Sequence, residues 1–205
     1  MKAYSLIPLP DPIRERRAKQ RAAIQAMADA TATGDIPRLV DAIEQIDQIG
    51  DWTKAFSALG RLEKKIPARM KQAWLGLWIG SGDHLRGEVR NDFLLTKALV
   101  KPLPPYQGPP VRLYRGETKW NRRRRTYGLS WTSQREVAVA HARGILQTYD
   151  GGSVVLQTDA PAKAIICAPA HHGRHQARYH EREYLVDRRQ LREIKVLSRF
   201  AQREL

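Results

Sequence analysis

The stretch Lys101-Pro102-Leu103-Pro104-Pro105-Tyr106-Gln107-Gly108-Pro109-Pro110 constrains this chain more than any other. Each proline removes a backbone donor and biases its predecessor towards extended geometry, so no helix can pass through. On its N-terminal side the apolar residues recur with helical spacing; on its C-terminal side they form short extended runs. The expected organisation is an N-terminal helical region over 1–100, a boundary over 101–110 and a strand-rich core over 111–205. The helices of 51–100 are expected to pack on that core, giving the α+β class.

Start and stop signals punctuate the first half. Asp11-Pro12 pairs a capping carboxylate with a proline whose missing N–H is harmless at the first helical position, and predicts a helix to about Thr33, ended by Gly34. Asp35 with Pro37 opens a second, whose Leu39, Val40, Ile43, Ile46 and Ile49 lie on one stripe that ends near Gly50. Further helices are predicted over Trp52–Leu62, from Pro67 through Trp78, and around Leu85–Val100, with Gly80-Ser81-Gly82 as an interruption. Trp74 and Trp78, at helical spacing, belong to the core.

Beyond the boundary, strands are predicted over 111–116, 127–132, 153–158, 164–168, 183–187 and 193–197, with one helix from Arg135 to Arg143. Cys167 is the only cysteine and sits in an apolar run, which excludes a disulfide framework and a cysteine metal site and implies a buried, inert thiol. The Met1–Pro10 segment is too short and too broken by prolines for a secretory apolar region, and no stretch approaches the roughly 20 apolar residues of a membrane span. A cytoplasmic protein with no membrane partner is expected, or one delivered into a target cell by a dedicated system.

The formal net charge is +15, with most of the excess beyond residue 100. Such a charge favours anionic partners. The tract Arg122-Arg123-Arg124-Arg125 is either a solvated face or a contact for phosphates, of nucleic acid or of an anionic small molecule.

Three short pieces carry candidate chemistry: Leu113-Tyr114-Arg115-Gly116 at a strand end, Gly128-Leu129-Ser130-Trp131-Thr132-Ser133 leading into a helix with Ala138 and Ala142, and Glu181-Arg182-Glu183-Tyr184-Leu185-Val186 opening a strand. Singly, each has a plain structural reading, as a strand entering a turn, a half-buried strand and a solvated strand end. Together, in this order and these settings, they resemble the Arg-Ser-Glu class of mono-ADP-ribosyltransferases, over roughly residues 111–197. No Gly-x-Gly-x-x-Gly turn supports a Rossmann mode of dinucleotide binding.

The resemblance implies a core of two packed antiparallel or mixed sheets whose cleft holds NAD as substrate, without a metal. It implies that Arg115, with Gly116, binds the NAD phosphate and ribose region, and that Ser130, Trp131 and Thr132 shape the nicotinamide pocket. Glu183 would be the catalytic glutamate and Glu181 its partner towards the acceptor. The triplet can also be set one residue later, as Trp131-Thr132-Ser133; Ser130-Trp131-Thr132 keeps both hydroxyls on one strand face.

Physical chemistry suits these roles. Cleaving the nicotinamide–ribose bond passes through an oxocarbenium-like cation, which a fixed carboxylate stabilises where charge appears. A guanidinium fork matches phosphate oxygens and stays charged.

The stretch 169–180 precedes the glutamate pair, where the family recognises its acceptor, and makes Tyr179, Arg174 and Arg178 candidate acceptor-binding residues. Its histidines have neither metal-site spacing nor an accompanying cysteine or aspartate. A Glu-x-Glu pair implies a protein arginine as acceptor, whereas the loop's positive charge suits RNA or DNA. The resemblance also allows a toxin or a phage or defence effector, with an antitoxin or inhibitor as partner. The alternatives are an NAD glycohydrolase and a basic nucleic-acid-binding protein without catalysis.

Overall fold

The computed structural model describes residues 11–169 and 182–204. Among them, five helices come first: α1 (Pro12–Thr33), α2 (Ile36–Ile49), α3 (Trp52–Arg61), α4 (Ala68–Val89) and α5 (Asp92–Leu99). The Asp11, Asp35 and Asp51 carboxylates accept hydrogen bonds from the backbone N–H groups of Ile13, Arg38 and Lys54, each such cap contributing about 1 kcal/mol. Gly34 and Gly50 close α1 and α2 with φ of 83° and 75°, a left-handed geometry that glycine adopts without penalty.

The interruption expected at Gly80-Ser81-Gly82 does not occur. The helix runs on to Val89, and the break falls at Arg90, with φ of 49°, and Asn91, which caps α5. Each helical glycine costs about 1 kcal/mol, while Trp74, Leu75, Trp78 and Leu85 are fully or nearly fully buried on both sides of it and each contributes about 1.5–3 kcal/mol. Burial wins. Gly82 also accommodates the Trp78 ring, from which a Cβ would stand only 3.0 Å away.

Six strands follow: β1 (Val111–Thr118), β2 (Ser130–Thr132), β3 (Ser153–Ala160), β4 (Ile165–Cys167), β5 (Glu183–Val186) and β6 (Lys195–Phe200), with α6 (Lys119–Arg124) after β1 and α7 (Arg135–Arg143) after β2. They form one open sheet in the order β4-β5-β2-β1-β3-β6, antiparallel throughout. Two packed sheets were implied; among the described residues one is found. Its halves are unequally joined, since β1 and β3 pair over their full length but β1 and β2 share only Tyr114 opposite Thr132. That one bridge keeps the sheet continuous and leaves the strands free to part beyond it.

Two cores stabilise the sheet. Leu129, Ile166, Cys167 and Leu185 join Trp74, Trp78, Leu85, Leu95 and Leu99 in a cluster that fastens the helices to the β4-β5-β2 half. Leu113, Trp131, Leu156, Tyr184 and Val186 form a second cluster. On β1 and β3 rests α7, with Ala138 and Ala142 against Val155. A Cβ at Gly116 would lie 2.6 Å from the Ala138 carbonyl oxygen, so only glycine lets α7 come this close. Where α4 and α7 both border the joint between β1 and β2, a cavity remains. Among the described residues no helix is long and apolar enough to cross a membrane.

Candidate active site

The cavity measures about 530 Å³. Its floor includes Tyr114, Arg115 and Gly116 of β1, Ser130 and Thr132 of β2, and Glu183 of β5; α4 contributes residues 78–84 and Arg86, and α7 contributes Val137, Ala138 and His141. Thr132 stands opposite both Tyr114 and Glu183 in the strand register. Side chains of directly opposite residues share a sheet face, and so do residues two apart. Ser130, Thr132, Tyr114 and Glu183 therefore share one face, beneath the helices. Ser133 lies beyond the end of β2, so the register with Ser130 and Thr132 presents two hydroxyls to the cavity. Thr132 Oγ1 also accepts a hydrogen bond from the Gln134 N–H at 3.0 Å, which steadies the entry into α7.

Arg115 reaches the cavity differently. Alternation along β1 aims it away from Tyr114 and Gly116, but the parting of β1 and β2 gives its guanidinium room between the strands. Its Nε donates to Glu117 Oε2 at 2.9 Å and its Nη1 to the Ser130 carbonyl oxygen. Two of its bonds are thus made to the frame, and the side chain keeps 16% of its accessible surface.

Glu117 is the residue that organises this arrangement. Its side chain is 3% exposed. Besides Arg115, it accepts hydrogen bonds from the backbone N–H of Thr118, from Asn121 Nδ2 in α6 and from the backbone N–H of Gly128. Burial alone would push its pKa up; the Arg115 charge and the bonds from Asn121, Arg115 and Thr118 outweigh it and hold the carboxyl below its ordinary value. Glu117 is therefore a fixed anion two residues along the strand from a fixed cation.

A second guanidinium enters from α4. Arg86 makes a two-pronged pair with Asp92, Nε to Oδ1 at 2.9 Å and Nη2 to Oδ2 at 3.1 Å. Burial works against its charge, but the Asp92 bond and the charges of Asp92, Glu117 and Asp83 raise its pKa above the ordinary arginine value. Asp92 also takes Arg188 Nη1 at 3.2 Å, and that nitrogen donates to the Tyr127 carbonyl oxygen at 2.6 Å. One carboxylate thus ties α4, α5, the end of β5 and the approach to β2 together. Gly128 makes the convergence possible: a Cβ there would strike the Arg115 guanidinium and lie 2.8 Å from Arg86 Nη1.

Sequence reasoning named Arg115, Ser130, Thr132 and Glu183, and all four line one cavity. Gly116 lines it too, but its missing side chain is explained by α7 rather than by a ligand. Trp131 also lines the cavity, while its ring is 2% exposed, packs edge-on against Tyr127 in the second core and donates Nε1–H to the Gly128 carbonyl oxygen. Its position between two cavity-facing hydroxyls sends it to the other face.

Glu181, Tyr179, Arg174 and Arg178 lie outside the described residues. Arg86, Asp92 and Glu117 were missed. For Glu117 a signal existed, an acid two residues from Arg115 on a strand; for Arg86, on a distant helix, none did.

Cys167 is fully buried, and burial first, then the neighbouring Glu183 charge, pushes its thiol up to about 12. It is no nucleophile at neutral pH. Among the described residues no group of His, Cys, Asp and Glu could hold a metal ion. No protein-family model, curated protein or solved structure matches the chain.

Proposed function

We propose that the cavity binds NAD and that the chain is an NAD-dependent mono-ADP-ribosyltransferase, releasing nicotinamide and passing ADP-ribose to a macromolecular acceptor. The observation that carries this is the meeting of Arg115, Ser130 and Glu183, from three separate strands, around one cavity. Support comes also from size and charge. A cavity of this volume is of ligand dimensions, and Arg115 and Arg86 place two permanent cations beside it for a diphosphate.

In this reading the NAD diphosphate lies towards Arg115 and Arg86, and the nicotinamide ribose lies towards Glu183. The bond between the ribose carbon and the nicotinamide nitrogen breaks with both electrons leaving on nicotinamide. The Glu183 carboxylate faces the positive charge left on the sugar. An acceptor atom then donates an electron pair to that carbon and gives up its proton. Ser130 lines the same floor beside Glu183's strand and would orient the carboxylate or the ribose.

Incubation with NAD labelled in its adenylate half, in the presence of protein, RNA and DNA pools, tests the reading. Label should become covalently attached to one pool. Nicotinamide release with no labelled pool identifies a glycohydrolase instead; intact NAD and no label leaves a binding protein and rejects the enzyme. Glu181→Gln should retain nicotinamide release while losing transfer, and equal loss of both removes Glu181 from the acceptor step.

A further inference from the structure

We infer that α6 is a docking surface for single-stranded nucleic acid. Trp52, Trp74, Trp78 and Trp131 are all buried to 5% exposure or less, whereas Trp120, the second residue of α6, is 56% exposed. The Arg124 guanidinium lies 4.0 Å from the centre of its ring. Arg123, Arg124 and Arg125 are exposed, and among the described residues none of the four arginines 122–125 has an acidic partner within salt-bridge distance. An aromatic ring exposed to this degree, with one guanidinium stacked on it and further exposed arginines next in sequence, is the pairing that unpaired bases and their phosphates recognise: the ring stacks a base and the guanidiniums follow the backbone. A duplex hides its base faces and would leave Trp120 unused. An acidic polypeptide would engage the arginines without needing the ring.

The helix is also wired to the cavity. Asn121 of α6 donates to Glu117, which in turn holds Arg115. A strand docked on α6 therefore lies on the segment that continues directly from the cavity-lining part of β1. If the preceding section is right, this is the acceptor side of the reaction and the acceptor is nucleic acid; the docking itself does not depend on it.

Because Trp120 is the exposed indole among five, intrinsic fluorescence reports on it directly. Titrating the whole protein with a 12-nucleotide homopolymeric RNA should quench the red-edge emission, with an apparent Kd that weakens steeply with salt. Trp120→Ala should weaken binding about tenfold, as loss of one stacked base predicts, with thermal unfolding unchanged. Arg123→Ala, Arg124→Ala and Arg125→Ala should each flatten the log–log salt slope by about 0.7 if the residue meets a phosphate.

Binding equally tight in Trp120→Ala, tighter binding of the corresponding duplex, or equal competition by polyglutamate would overturn the inference. Absence of RNA binding by a wild-type protein that releases nicotinamide defeats this inference alone. RNA binding by a protein that releases none defeats only the proposed enzyme.

Discussion

The arginines around the cavity and those of α6 have the same side chain in opposite circumstances. Arg115 and Arg86 are each held by a carboxylate of the chain itself, Glu117 and Asp92, in partly buried settings. Arg123, Arg124 and Arg125 stand exposed, with no acid of the described residues in salt-bridge reach. Taking a guanidinium out of water is costly unless a counter-charge comes with it, so an interior arginine must bring its own anion and is thereby held in one place. An exposed arginine needs none, and its anion is supplied from outside. The first kind suits recognition of one small ligand in fixed geometry, the second a long flexible polyanion.

The largest effect should come from removing an internal anion. Glu117→Ala leaves Arg115 partly buried and unpaired and is expected to destabilise the fold by about 3 kcal/mol or more, read from denaturant unfolding. A loss below about 1 kcal/mol would mean that the pair is not the anchor of the site.

Arg115→Lys keeps the charge but loses the fork that bonds Glu117 and the Ser130 carbonyl. NAD affinity is expected to fall about tenfold, the scale of one charge-assisted hydrogen bond, by calorimetric titration. Unchanged affinity would transfer the phosphate role to Arg86.

Acid should loosen the Glu117 anchor. Glu117 has a folded pKa below its unfolded one, so its contribution to stability is fully present above the unfolded value of about 4.3 and is lost as pH falls through the folded value. Thermal unfolding of the wild type should therefore weaken below about pH 4.3, and Glu117→Gln should weaken less steeply there.

The smallest effect is expected for Arg123→Ala, Arg124→Ala and Arg125→Ala, each within about 0.5 kcal/mol of wild type in stability. A larger loss would show an intramolecular partner and blur the distinction.

Much of the frame was legible because local rules decide it. Asp11-Pro12 and Gly34 bound α1, Asp35 and Gly50 bound α2, and α7 spans Arg135 to Arg143 as its alanine spacing suggests. What failed was non-local. Gly80-Ser81-Gly82 looks like a break, but burial of Trp74 and Trp78 decides otherwise. The small residues instead leave space that becomes one wall of the cavity. The short α6 has too few residues for any period to show.

Of the candidate site, the order and element types of Arg115, Ser130, Thr132 and Glu183 made it legible that they line one cavity. Trp131 also lines the cavity, although alternation along β2 turns its ring to the core. Arg86 was missed because only the packing of α4 on the sheet brings it to Gly128.

The central claim, that this cavity breaks the nicotinamide bond of NAD with Glu183 facing the sugar, is tested most directly by release of labelled nicotinamide from NAD. Wild type and Glu183→Gln should be compared at matched folded fractions. Measurable release by the wild type, reduced about 100-fold or more in the variant, is the expected result. No release by the wild type, or equal release by both proteins, would contradict it.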